Sequence, residues 1–452
     1  MRSAMTVSAE ELFRWHARPG ALERLTPPWE PAEVLSRTGK GIEVGAQVTI
    51  SLKVGPVSQR LVAEHTLYEE GRRFRDVMIE GPFSFWQHTH STEPDGAQQS
   101  ILEDHIEYAL PMGALGRLFG GGFVRDKLQR AFTYRHKTTH EDLVDHSRYH
   151  LAPQHIAITG SRGLIGSALV PFLTTGGHRV TPMVRGKVPT FGQEIAWNPE
   201  EGLLASQELE GLDAVIHLAG EPVASGRWTK EKKHKIRESR VGSTRLLSEA
   251  LAKLSSPPKV LICASAIGFY GDRADEELTE ESAMGEGFLA EVCRDWEEAT
   301  KAAEDRGIRV VHLRTGLVLS STGGVLQQML TPFRMGVGGN LGSGTQWMSW
   351  LSIDDALGVI LRALADARVS GPLNMVAGAC RNDEFSQTLA KVLSRPSLFS
   401  VPTFALRAAL GEAADGAVLA SAKVLPQRLE RLGHSFRHPS LDGALRHLLG
   451  IS

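Results

Sequence analysis

Cysteine is scarce in this chain. Cys263, Cys293 and Cys380 are the only three in 452 residues and stand far apart, a spacing that signals neither a disulfide framework nor a clustered zinc site. Excess charge of one sign is also missing. The 50 Lys and Arg nearly match the 52 Asp and Glu, leaving a net charge of −2 and a pI near 6.8. That balance argues against a dedicated nucleic-acid binder, which carries a basic face. No apolar run approaches the roughly 18 residues of a membrane span. The opening MRSAMTVSAEELFRWHARPG lacks the apolar core of a signal peptide. Internal repeats and low-complexity tracts are absent as well. What remains is an ordinary globular composition, 42% hydrophobic and 23% charged, with 46 Gly and 22 Pro. The length predicts about two to four domains. The expectation is a multidomain protein of the reducing cytoplasm, without nucleic-acid or membrane partners.

Residues 1–150 differ in texture from the rest. They hold nine of the 17 histidines: His16, His65, His88, His90, His105, His136, His140, His146 and His150. The alternation in Val48–Leu52 and Ser100–Tyr108 has the period of half-buried strands. Gly-Pro at 55–56 and 81–82 and Asp-Gly at 95–96 read as turns between strands. Val124–Arg135 spaces its apolar residues as a helix does. Strands followed by a long helix predict an α+β domain, with a boundary at Leu151-Ala152-Pro153. From residue 154 the pattern becomes repeated βα units. Strands are expected at His155–Thr159, His178–Val184, Ala214–Leu218, Lys259–Ser265 and Val310–Arg314. Helices are expected to about Thr175 and over Thr229–Leu254 and Phe288–Arg306. Such units imply a parallel sheet covered by helices on both faces. Beyond Pro396 the chain is rich in Ala and Leu and broken by Pro402, Pro426 and Pro439.

Gly160-Ser161-Arg162-Gly163-Leu164-Ile165-Gly166 follows a strand and opens a helix. Gly160 permits the tight turn, Gly163 lets a pyrophosphate approach the backbone, and Gly166 allows close helix packing. The free N–H groups and positive dipole of the helix start suit phosphate. A glycine pattern alone is weak; the strand–loop–helix context makes it a dinucleotide site. An NAD site would place an acid at the end of the second strand, where this chain has Arg185. With Arg162 in the loop, two guanidinium groups stand near the expected 2′-phosphate and favour NADP(H) over NAD(H). The competing reading of Arg185 is a solvated surface residue.

These residues belong to a wider pattern. TGSRGLIG (159–166), HLAGEPVASGRWT (217–229), ESR (238–240), CASAIGFYGD (263–272), GFLAEVCRDWE (287–297), LRTGLVLSSTGG (313–324) and PFRMGVGGNLGSGTQWMSWLSIDD (332–355) occur in order. Together they resemble the atypical extended short-chain dehydrogenase/reductases known as nucleoside-diphosphate-sugar epimerases. PGALERLTPPWE (19–30), FRDVMIEGPFSFWQHTH (74–90) and YALPMG (108–113) resemble a SRPBCC, or START-like, helix-grip domain. Residues from about 396, with Pro426 and Gly433-His434-Ser435-Phe436, resemble the small C-terminal domain of unknown function that accompanies this family. The implied fold is α/β: a Rossmann doubly wound parallel sheet over 154–395, preceded by an α+β helix-grip domain over 1–150 and followed by a mainly helical domain over 396–452.

The resemblance implies chemistry by a Ser and a Tyr-x-x-x-Lys pair, in which the Tyr exchanges a proton while hydride moves at the nicotinamide. Ser265 matches the Ser. Aligning Glu297 with the acid usual after that Lys puts Leu289 and Cys293 at the Tyr and Lys positions, and neither can do the work. Tyr270 and Lys233 remain as acid/base candidates. Packing in the YG turn is the competing reading of Tyr270, and a solvated helix face that of Lys233, which lies in the run Lys230, Lys232, Lys233, His234, Lys235. Cys293 reads as buried filler. The resemblance further implies cofactor contacts from His217, Leu218, Ala219, Gly220, Ser265 and Arg314, although a packed strand-end residue is the stronger reading of His217. It places Arg227, Trp228, Arg334, Gln346 and Trp350 around the substrate, Arg227 and Arg334 as anion clamps. After Trp350 the family commonly shows Ile-His; this chain has Leu351-Ser352.

In the N-terminal domain, Phe74, Phe83, Phe85, Trp86 and Phe123 either line a pocket for a hydrophobic ligand or fill the core. His88 and His90, at i, i+2 without a partner Cys, are not expected to bind metal. Two functions follow. One is an NADP(H)-dependent oxidoreductase or epimerase acting on an anionic or nucleotide-sugar-like small molecule. The other is a non-catalytic NADP(H)-binding regulatory or ligand-sensing protein.

Overall fold

The computed structural model describes residues 1–452 except 31, 55–56, 186–193, 225 and 452, so the turn expected at 55–56 lies outside the described residues. Contacts divide the chain into two compact units. One is Met1–Ala152 with Pro171–Gly177, the other Pro153–Val170 with His178–Ser452.

The first unit opens with β1 (Arg2–Met5), α1 (Ala9–Ala17) and α2 (Ala21–Leu25). Six strands follow: β2 (Ala32–Thr38), β3 (Gln47–Val54), β4 (Val57–Glu69), β5 (Arg73–Glu80), β6 (Phe85–Pro94) and β7 (Ser100–Ala109). With β1 they form one seven-stranded antiparallel sheet in the order β1-β7-β6-β5-β4-β3-β2. The β6–β7 turn uses Gly96 at φ +96°, a left-handed conformation that glycine adopts without strain. The closing helix α3 (Gly113–Arg148) runs well beyond the expected 124–135 at both ends. Helix and sheet bury Leu12, Trp15, Leu102 and Leu143 together, the α+β arrangement that the alternating strands implied. Of the five aromatics expected either to line a pocket or to fill the core, Phe74 is buried, whereas Phe85 and Phe123 are surface residues at 46% and 71% exposure. That corrects the expectation of Phe85 and Phe123 as core residues.

The second unit is doubly wound. Its strands are β8 (His155–Thr159), β9 (Arg179–Val184), β10 (Ile195–Asn198), β11 (Leu203–Leu204), β12 (Ala214–His217), β13 (Val260–Ala266), β15 (Arg309–Thr315) and β18 (Gly371–Met375), in the order β11-β10-β9-β8-β12-β13-β15-β18. All pairs are parallel except β10–β11. The chain winds outward from β8 and then returns to its other side at β12, so the strand order reverses between these two. Ligands of open parallel sheets bind at the carboxyl ends of strands at such a reversal.

Helices connect the strands: α4 (Leu164–Thr175), α5 (Lys230–Arg237), α6 (Ser243–Ala252), α7 (Phe288–Glu298) and α8 (Lys301–Asp305). The single helix expected over 229–254 contains a π turn at Glu238–Gly242, where the Ser243 N–H reaches the Glu238 carbonyl. The helix expected over 288–306 is interrupted between α7 and α8. Outside the main sheet, β14 (Glu277–Leu278) pairs with β20 (Lys423–Val424). A three-stranded sheet joins β16 (Leu317–Leu319), β17 (Trp347–Ser352) and β19 (Gly378–Arg381). The C-terminal helices include Thr403–Leu410 and Leu441–Leu449, the latter burying Leu445 and Leu448 with Phe333, Trp350 and Phe385.

Candidate functional site

The glycine loop sits at the reversal. Gly160, at φ +69°, ends β8 so close to β12 that a Cβ there would stand 2.8 Å from the Leu218 carbonyl carbon. A Cβ on Gly166 would lie 2.2 Å from the Gly160 oxygen, so only glycine lets α4 begin this near the strand. Gly163 closes the turn by donating to Gly160 O at 2.9 Å. The opposite wall is braced from beneath. Thr159 Oγ1 accepts from the N–H groups of Leu218 and Ala219 at 3.1 and 3.2 Å and meets His217 Nδ1 at 2.7 Å. His217 Nε2 faces Ser243 Oγ at 3.3 Å. Burial pushes the His217 imidazole down to about 4, so it is neutral at physiological pH. His217 therefore supports the loop from inside the protein, which corrects its assignment as a cofactor contact, while Leu218, Ala219 and Gly220 reach the surface.

Arg162 and Arg185 are both solvent-facing. Among the described residues, the Arg162 guanidinium stands 3.7 Å from the largely covered Glu194 carboxylate and the Arg185 guanidinium 3.3 Å from the exposed Glu200. An exposed pair such as Arg185–Glu200 contributes about 0–1 kcal/mol, and with both guanidinium groups solvent-facing either side chain can turn to a stronger anion.

The other expected chemistry folds inward. Ser265 is 3% exposed, and its hydroxyl donates to Glu297 Oε1 at 2.7 Å. Arg314 clasps the same carboxylate with Nε at 2.9 Å and Nη2 at 2.8 Å. Its Nη1 donates to the Tyr270 hydroxyl at 3.1 Å, which in turn donates to Asn374 Oδ1 at 2.6 Å. The Arg314 guanidinium also lies 3.5 Å from the centre of the Phe269 ring. Burial pushes the fully enclosed Tyr270 phenol up, against the pull of Arg314, so it stays protonated. Tyr270 as acid/base and Arg314 as cofactor contact are thus corrected: both belong to one buried, hydrogen-bonded network. Glu297 is the member missed from sequence as a functional partner. Its i, i+4, i+8 spacing with Leu289 and Cys293 was the available signal.

Comparison with known proteins bears on what this framework is. Residues 156–377 match the NAD dependent epimerase/dehydratase family, 5–133 the polyketide cyclase / dehydrase and lipid transport family, and 401–448 a domain of unknown function. The epimerase family protein Mb2239 of Mycobacterium bovis is 42% identical over 291 residues, 64% of this chain and 96% of that protein. The chain belongs to the NAD-dependent epimerase family. Among solved structures, the nucleoside-diphosphate sugar epimerase of Corynebacterium glutamicum superposes with a TM-score of 0.82 at 36% identity, over 99% of this chain and 89% of that one. Human epimerase family protein SDR39U1, solved with NADPH, gives 0.61 at 32% identity over 65% of this chain and 99% of that one.

Within this epimerase-family fold, α7 carries no tyrosine–lysine pair. Leu289 and Cys293 pack against the turn after β13, where a Cβ on Gly268 would stand 3.2 Å from Leu289 Cβ and 3.8 Å from Cys293 Sγ. Burial pushes the Cys293 thiol up to about 12, which keeps it protonated and inert.

The residues expected around the substrate scatter. Trp350 is core, in contact with Gly378 and packed with Phe333 and Phe385, and its assignment to the pocket wall is corrected. Trp228 is buried, its indole N–H donating to Val223 O at 3.0 Å. Arg227 donates to the carbonyls of Ala408 and Ala409 at the end of the helix Thr403–Leu410. Lys233 pairs with Glu412 and lies 5.1 Å from the Phe288 ring centre. Arg334 is exposed at the end of the helix Gly324–Arg334. Gln346 alone of the set lines a large cleft, about 760 Å³, together with Asp272, Asp275, Arg381, Arg407 and Asp415. Arg381 is held there by Asp275 at 2.7 Å, and Arg407 by Asp415 at 3.0 Å.

Proposed function

We propose that this epimerase-family protein binds NADP(H) in preference to NAD(H) and uses it as a regulatory or ligand-sensing protein, without the family's proton relay. The observation that carries this reading is the inward Ser265–Glu297 hydrogen bond beside Leu289 and Cys293. A dehydrogenase needs a hydroxyl and a titrating group at the nicotinamide. Here the hydroxyl is directed at Glu297 and the neighbouring positions hold an alkyl chain and an un-ionised thiol.

Cofactor binding rests on the glycine loop, whose close approaches admit no side chain at Gly160 or Gly166. The first-turn N–H groups of α4 suit the pyrophosphate, and Arg162 and Arg185 suit a 2′-phosphate. The NADPH in the human relative's structure supports the same choice. The division into 1–150, 154–395 and 396–452 assigns cofactor to the middle domain. An apolar ligand belongs to the first, supported by its match to lipid-transport domains and by the contact of Phe83 with Trp86 at 5.0 Å. No helix among the described residues is long and apolar enough to cross a membrane; we assign the protein to the cytoplasm.

The test is a parallel fluorescence titration with NADPH and NADH, followed by long incubation with NADPH and a panel of nucleotide sugars and anionic carbonyl compounds. Two charge-assisted contacts of about 1.5–3 kcal/mol each predict a preference for NADPH of at least roughly a hundredfold, with no cofactor oxidation. Equal affinities would remove the two-arginine argument, and turnover would remove the non-catalytic reading. The second reading, an oxidoreductase or epimerase on an anionic or nucleotide-sugar-like substrate, is favoured by one observation. The cleft at Gln346 presents Arg381 and Arg407 among polar groups, a lining suited to an anionic substrate.

A further inference from the structure

The N-terminal unit buries an unusual concentration of metal-binding side chains between its sheet and its long helix. Asp76 on β5, His88 and His90 on β6, and Asp104 on β7 share one face, because the register pairs Asp76 with His88 and His90 with Asp104. His136 joins them from α3. Asp104 is the hub. Its Oδ1 lies 3.0 Å from His88 Nε2 and 2.6 Å from His90 Nδ1, and its Oδ2 lies 2.7 Å from His136 Nε2. His136 uses its other nitrogen on Ser3 Oγ at 2.9 Å. His88 turns its other nitrogen, Nδ1, toward Asp76 at 3.4 Å. Both ring faces are enclosed: Phe132 meets His88 edge-on at 5.0 Å and Phe74 stacks on His90 at 4.2 Å.

Burying two carboxylates and three imidazoles is costly, and packed apolar residues would stabilise this core at least as well. The geometry points to a ligand that makes the arrangement worthwhile: we propose that Asp76, His88 and His90 bind a divalent first-row transition-metal ion. Each of the three offers a donor atom, and the donors lie within 4.8 Å of one another. Tetrahedral donors about 2.0–2.2 Å from a metal stand roughly 3.3 Å apart, so side-chain rotation of about an ångström closes the site. Two imidazoles and one carboxylate form a borderline-soft set that suits zinc, iron or cobalt better than calcium or magnesium. Asp104 then fills the role that a carboxylate takes behind metal-bound histidines, receiving the second ring N–H of His88 and fixing its tautomer. Asp76 keeps 17% of its side chain exposed and provides the way in.

The experiment uses the full chain stripped with chelator and titrated with Co²⁺, read by its visible d–d absorption, with Zn²⁺ as competitor. One saturable equivalent is expected, lost at least a hundredfold in affinity in His90→Gln and weakened roughly ten- to a hundredfold in Asp104→Asn. Absence of saturable binding by the unmodified chain overturns the proposal. So does unchanged binding in a folded His90→Gln. A second cluster, Asp354 with His438 and His447, provides the control should His90→Gln fail to fold. Asp354→Asn is expected to keep the absorption, and its loss there would place the ion in the C-terminal cluster instead.

Discussion

The Ser265 hydroxyl donates to Glu297 Oε1 at 2.7 Å, tying the carboxyl end of β13 to the last turn of α7. Arg314 holds the other side of the same carboxylate. On the non-catalytic reading proposed above, the serine of the short-chain dehydrogenase pattern serves as a structural donor, and the consequences are measurable.

Ser265→Ala is expected to lower stability by about 1.5–3 kcal/mol, the contribution of a hydrogen bond to a charged group, while leaving the NADPH dissociation constant within about twofold. Glu297→Ala strands the buried Arg314 guanidinium and should cost about 3–5 kcal/mol. Urea unfolding with parallel NADPH titration checks both. A stable Ser265→Ala protein with strongly weakened NADPH binding would return Ser265 to the cofactor site.

Gly166→Ala puts a methyl group 2.2 Å from the Gly160 oxygen. The strand–helix turn must open, which displaces the N–H groups that face the pyrophosphate. NADPH affinity should fall at least about tenfold, a loss of roughly 1.4 kcal/mol, with NADH affected equally. Isothermal titration of the variant with both nucleotides is the measurement; unaltered binding would mean that phosphates do not sit on this loop.

Arg162→Ala and Arg185→Ala should behave differently from the glycine variant. Each is expected to weaken NADPH roughly tenfold or more and to spare NADH, because only the 2′-phosphate distinguishes the two. A parallel loss for NADH would show that the arginines act on the shared pyrophosphate.

His217 makes acid stability a further test. Its folded value near 4 lies below the ordinary 6.5, so between these pH values the unfolded chain binds the proton and the folded one does not. Stability consequently falls as pH drops from 6.5 toward 4, by roughly 3 kcal/mol from this group, and levels off below. His217→Asn should have a smaller difference between urea midpoints at pH 7.5 and 4.5 than the unmodified protein. Identical differences would sink the assignment.

The glycine loop was legible because it is local: strand, turn and helix start lie within a dozen residues, and the steric demands at Gly160 and Gly166 are met by neighbours in sequence or by the adjacent strand. The doubly wound sheet was legible for the same reason, since each βα unit announces itself by periodicity. The direction of Ser265 was not. Both faces of a central parallel strand are apolar, so alternation does not say which face a lone hydroxyl joins; the packing of α7 decided that by bringing Glu297 to it. Tyr270 and Arg314 met the same fate, their roles set by partners 104 and 17 residues away. The family, the glycine loop and the lack of a tyrosine–lysine pair on α7 could all be read from residue order. Packing over long separations turned Ser265 and Arg314 toward Glu297 and Tyr270 toward Asn374, and strand register brought histidines and aspartates from four elements together inside the N-terminal unit, because charge buried between a sheet and a helix is arranged by contacts that residue order alone does not encode locally.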